Sequence, residues 1–125
     1  MDKVIHFEIP AENVERAEIF YRTVFDWDVS RFPGMKYTLL RTTKIGENQT
    51  PIEPGAINGG MFERTEQLRT PIITIGTKNI DETIEKLKKN GGRVIMDKFP
   101  VGDMGMSAYF QDTEGNVLGL WQNLK

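Results

Sequence analysis

The stretch Ile72-Ile73-Thr74-Ile75, followed by Asn79-Ile80-Asp81-Glu82-Thr83-Ile84-Glu85-Lys86-Leu87-Lys88-Lys89 and then Asn90-Gly91-Gly92, reads as strand, cap, helix and stop. Ile73 and Ile75 alternate with Ile72 and Thr74, the period of a strand. Asn79 and Glu82 have the spacing of a capping box. Ile80, Ile84 and Leu87 recur at helical spacing. Lys88 and Lys89 suit the negative end of the helix dipole, and the glycines end the helix.

The same order stands upstream. Val4 to Ile9 alternates, with Phe7 and Ile9 on one face and His6 and Glu8 on the other. Asn13 can cap a helix carrying the stripe Val14, Ala17, Phe20, Tyr21 and Val24. Strands are expected over Trp27 to Phe32 and Met35 to Thr42, joined at Pro33-Gly34, and over Ala56 to Phe62. Between them Lys44 to Gly55 is a polar loop with two prolines. After the helix at Asn79, strands are expected over Arg93 to Met96, Met106 to Gln111 and Val117 to Gln122. Asp97 to Gly105 is expected as a loop, and Asp112 to Asn116 as a turn. The chain thus repeats βαβββ: module 1 over about residues 1–62, a connector over 63–70, and module 2 over about 71–125.

Composition narrows the chemistry. The chain has 125 residues, 38% of them hydrophobic and 27% charged, which suits one globular domain. The net charge of −2 argues against nucleic-acid binding. Cysteine is absent, so thiolate metal sites and cysteine nucleophiles are excluded. His6 is the single histidine, so no site can draw two imidazoles from one chain. No run approaches the roughly 20 apolar residues of a membrane helix. The start Met1-Asp2-Lys3-Val4-Ile5-His6 lacks the pattern of a signal peptide, so the cytoplasm is the expected compartment.

Two segments carry a family resemblance. His6-Phe7-Glu8-Ile9-Pro10, with Ala17-Glu18-Ile19-Phe20-Tyr21-Arg22-Thr23-Val24-Phe25-Asp26-Trp27 after it, resembles the first module of the vicinal oxygen chelate superfamily. That group includes glyoxalase I, bleomycin- and fosfomycin-resistance proteins and extradiol dioxygenases. Phe110 to Gln122 looks like the closing hairpin of that family. The resemblance implies an α+β fold of two βαβββ modules forming a cupped mixed sheet with helices on the outer face. It also implies a homodimer and a divalent metal held by His, Glu or Gln. Of the metal-ligand positions, His6 retains a ligand. The others fall on Ile72 (or Thr70), on Gly119, and on Ala56 to Met61, which lacks a carboxylate. A catalytic metal needs about three protein ligands. The expectation is therefore no cofactor, with a divalent metal only if His6 finds further ligands.

With the apolar alternates turned to the helices, the opposite face carries His6, Glu8, Thr74, Tyr109 and Trp121. Polar groups among aromatics suit a small-molecule pocket. His6 reads either as a hydrogen-bonded strand histidine or as a ligand or acid–base group. Glu8 reads as a solvated carboxylate or, if buried, as a base. Tyr109 and Trp121 read as packing residues or pocket walls, and Gly59-Gly60 as a bulge. The function expected is binding or sequestration of a small molecule. The alternative is a glyoxalase-type lyase, isomerase or group-transfer enzyme, using His6 with a metal or Glu8 as a metal-free base.

Overall fold

The computed structural model describes residues 1–124. The chain divides into two compact units, His6–Pro71 and Met1–Ile5 together with Ile72–Lys125.

The N-terminal unit contains β1 (Lys3–Ala11, from His6 onward), α1 (Val14–Phe25), β2 (Asp28–Arg31), β3 (Thr38–Arg41) and β4 (Gly59–Glu63). Its strands run in the order β2-β3-β4-β1, with β1 and β4 parallel and the other pairs antiparallel. The Asn13 side chain accepts from Arg16 N–H at 3.0 Å and so caps α1. Asp26, in the left-handed region at φ 58°, ends it. Val14, Ala17 and Tyr21 pack on the core of Ala11, Val29, Leu40 and Met61, together with Phe7, Ile9 and Trp27. Burying Leu40 and Met61 completely is worth about 1.5–3 kcal/mol each.

The expected helical stripe divides here. Phe20 and Val24 are more than half exposed, because the remaining inward position of α1 belongs to Glu18. Its buried carboxylate accepts from the Thr38 hydroxyl at 2.6 Å and from Arg31 at 3.1 Å, so a polar group is satisfied inside. The strand expected from Met35 begins only at Thr38. Gly34, at φ 78°, turns the chain, and Phe32 N–H donates to Tyr37 O, so residues 33–37 form the connection.

The C-terminal unit contains β5 (Ile72–Gly76), α2 (Ile80–Lys89), β6 (Arg93–Val101), β7 (Gly105–Gln111) and β8 (Val117–Asn123). Their order is β5-β8-β7-β6, with β5 and β8 parallel. Strand for strand, this βαβββ order repeats that of the first unit. Asn79 accepts from Glu82 N–H at 3.1 Å, and Gly92 N–H closes α2 on Leu87 O at 2.7 Å, past Gly91 at φ 94°. Ile80, Ile84, Ala108 and Leu120 form the core.

Two expectations change. The loop placed at Asp97 to Gly105 is mostly strand. Register breaks at Val94/Met96 and Met96/Phe99 absorb extra residues, and β6 continues to Val101. Pro100 is tolerated because β6 is the outermost strand of its sheet. Ile73 is exposed, and only Ile75 of the pair reaches the helix-side core. Among the described residues no helix is long and apolar enough to cross a membrane.

Candidate functional site

Alternation along β1 sends Phe7 and Ile9 to the helix-side core and leaves His6 and Glu8 on the opposite face. In parallel register beside them, Phe7 pairs with Gly59 and Glu8 with Gly60. The pairing is continuous here, so Gly59-Gly60 is not a bulge. Each glycine instead makes room for a ring. A Cβ on Gly59 would stand 2.7 Å from Phe7 Cδ2, and a Cβ on Gly60 would fall on the Tyr37 hydroxyl. The Tyr37 ring therefore lies directly over the β4 backbone. Phe62 stacks beside it, with centroids 6.4 Å apart and planes at 26°.

That position carries the Tyr37 hydroxyl to β1. It donates to Glu8 Oε2 at 2.8 Å and stands 2.9 Å from His6 Nε2. A phenol has one proton. With that proton pointing to Glu8, the oxygen can only accept from the His6 side, which calls for Nε2–H. Three side chains form one directed chain: His6 to Tyr37 to Glu8. Burial pushes the His6 pKa from 6.5 down to about 4, so at neutral pH the imidazole is uncharged. An Nε2 that donates to Tyr37 holds the ring's only proton and leaves Nδ1 as an acceptor. Glu8 is buried, with 6% exposure.

The other residues expected at the site lie in the C-terminal unit. Thr74, Gly119 and Tyr109 form one row across β5, β8 and β7. Thr74 and Tyr109 are both buried, and Thr74 Oγ1 has no hydrogen-bond partner among the described residues. A Cβ on Gly119 would stand 3.0 Å from that oxygen, so the glycine leaves the hydroxyl its room. Trp121 leans away from this row. Its indole lies over Gly105, where an added Cβ would collide with it, and Nε1–H donates to Asn123 Oδ1 at 2.6 Å.

His6 and Glu8 are thus joined, and the residue that joins them, Tyr37, is one that the pattern of its own segment does not mark. The available signal was the glycine pair: glycine inside a strand marks close approach by another group. The donors do not reproduce the metal-ligand set implied by the resemblance. His6 Nε2 is engaged by Tyr37, and Ile72 and Gly119 offer no ligand atom. Among the described residues, no three His, Asp or Glu side chains are grouped to hold a metal.

Comparison with known proteins identifies the family. Residues 3–43 match the family model for the N-terminal part of bleomycin resistance-like proteins. A glyoxylase-like domain-containing protein of Didymella fabae is 32% identical over 115 residues, covering 88% of this chain and 85% of that protein. The chain belongs to the vicinal oxygen chelate superfamily. A Mycobacterium tuberculosis protein named as a candidate glyoxylase, CFP32, is 31% identical over 113 residues. The match covers 85% of this glyoxalase-like chain but only 40% of the mycobacterial one. Among solved structures, a methylmalonyl-CoA epimerase of Streptomyces coelicolor covers 98% of each chain at TM-score 0.66 and 15% identity. A glyoxalase/bleomycin resistance protein/dioxygenase superfamily member from Vibrio splendidus covers 98% of this chain and 99% of its own at TM-score 0.61 and 10% identity. At these identities the structural matches speak for the superfamily fold.

Proposed function

We infer that this superfamily member binds a small molecule without a resident metal, through the face of the N-terminal sheet opposite α1. The observation that carries this is the His6–Tyr37–Glu8 chain. It is a part-buried set of polar groups, with Glu8 buried and Phe62 beside it, the mixture by which pockets orient a ligand. The match to the bleomycin resistance-like family model supports the same reading.

The test is a thermal-shift and calorimetric screen of aromatic amines and phenols against wild type, Glu8→Gln and Tyr37→Phe. Binding of a cationic ligand weakened by Glu8→Gln, with stability retained, is expected. Equal losses of binding and stability would sink the reading. Titration of chelator-treated protein with Ni²⁺, Zn²⁺, Mn²⁺ and Co²⁺ is expected to show nothing tighter than about 1 µM.

One observation favours an enzyme as the second reading. A phenol hydrogen-bonded to a carboxylate is an acid beside a base, the equipment for moving a proton at carbon. Since methylmalonyl-CoA epimerases share the fold, methylmalonyl-CoA in D₂O is the first probe. Deuterium uptake abolished by Glu8→Gln would make this the better reading.

A homodimer belongs to the proposal. Ile19, Phe20, Val24 and Phe25 of α1 are all more than half exposed, an apolar surface suited to a second copy. Sedimentation giving only the monomer mass at micromolar concentration would count against it.

A further inference from the structure

Tyr37 has an unusual degree of constraint for a residue in a connection. Its ring rests on the Cα of Gly60, Phe62 flanks it, and its hydroxyl is within hydrogen-bond reach of two side chains on β1. The two contacts are not equivalent. The phenol proton points to Glu8 Oε2, which accepts. The phenol oxygen can then only accept from His6, which requires the imidazole proton on Nε2. His6 Nδ1 makes no hydrogen bond to any described residue.

We propose that Tyr37, backed by Glu8, is a positioning residue that holds His6 in the Nε2–H tautomer and so converts an inherited metal-ligand position into a hydrogen-bond acceptor, which takes its ligand through an N–H or O–H group. This rests on the small-molecule reading above and deepens it by naming the ligand chemistry. A metal ion on Nε2 would have to displace the Tyr37 hydroxyl. A ligand that offered only acceptors, such as an ether, would face the Nδ1 lone pair with nothing to donate.

The single histidine makes the test direct. In protein labelled with ¹⁵N-histidine, every imidazole signal belongs to His6. Long-range ¹⁵N–¹H correlation at neutral pH is expected to show a protonated Nε2 and an unprotonated Nδ1. In Tyr37→Phe the two nitrogens are expected to move toward each other as the tautomers mix. An Nδ1–H tautomer in the wild type would overturn the proposal, and so would an unchanged pattern in a folded Tyr37→Phe. The wild-type spectrum decides by itself if the variant does not fold. Zn²⁺ alone, added to one equivalent, should leave the Nε2 proton in place; its stoichiometric loss would overturn the proposal.

The ligand class is tested with 4-methylphenol against 4-methylanisole, which differ in one O–H donor. The phenol should shift Nδ1 and bind about tenfold more tightly, the worth of one net hydrogen bond. Equal shifts from both would overturn the donor requirement. With the tautomer as expected, a failure of every member of the amine and phenol screen to bind would instead strike the small-molecule reading. The two failures are thereby separate.

Discussion

Gly60→Ala tests whether the site is built as described. The added methyl would land on the Tyr37 hydroxyl, and backbone pairing to both neighbouring strands leaves β4 little freedom to move aside. The ring must swing out, breaking the 2.8 Å bond to Glu8 and the 2.9 Å contact with His6. Overpacking of this kind costs about 1–3 kcal/mol. Removing the hydroxyl donor from a buried carboxylate costs about 1–3 kcal/mol more. Alanine recovers up to ~1 kcal/mol over glycine within a strand. A net loss of about 3 kcal/mol is expected, read from urea unfolding with an unchanged m-value. The decisive measurement is the cycle with Tyr37→Ala. Once the ring is gone, Gly60→Ala should be neutral or slightly stabilising, giving a coupling of about 2 kcal/mol or more. An equal cost in both backgrounds would refute the claim that Gly60 exists for Tyr37.

Buried polar groups supply three more tests. The His6 pKa is lower in the folded chain than in the unfolded one, so the unfolded state binds more protons between them. Stability should be full above about pH 6.5 and fall as pH drops toward about 4, by ~3 kcal/mol in all. In His6→Gln that part of the urea-stability profile should flatten, and an identical profile would exclude His6 as its source. Thr74→Val removes a hydroxyl without a partner among the described residues and should be neutral or stabilising by up to ~1 kcal/mol; a loss larger than that would reveal a bound water or ligand. Glu18→Ala strips the acceptor from Thr38 and Arg31 and should cost about 2–3 kcal/mol in chemical denaturation. Glu18→Gln, which keeps an acceptor, should cost less than half as much.

Local and periodic features were legible in the chain alone. Asn13 and Asn79 announced the helix starts, Gly91-Gly92 announced a stop, and alternation in β1 placed His6 and Glu8 on one face. The lack of cysteine and the single histidine already removed whole classes of metal site. These properties depend on backbone geometry or on counting, and neither needs a distant partner. The helical stripe read from Phe20 and Val24 failed because periodicity cannot tell which side of an apolar band meets the core. Here Thr38 and Arg31, from other strands, drew Glu18 inward instead. The length of β6 was hidden because bulges keep a strand paired while spoiling its alternation.

The chemistry of His6, by contrast, was set by long-range packing. Tyr37 is 31 residues away in the chain. It reaches the histidine because β3 and β4 bring its ring over a glycine that has no side chain to exclude it. A hydrogen bond between groups so far apart in sequence leaves no period and no motif. It exists only where strand order and register have brought the two atoms together.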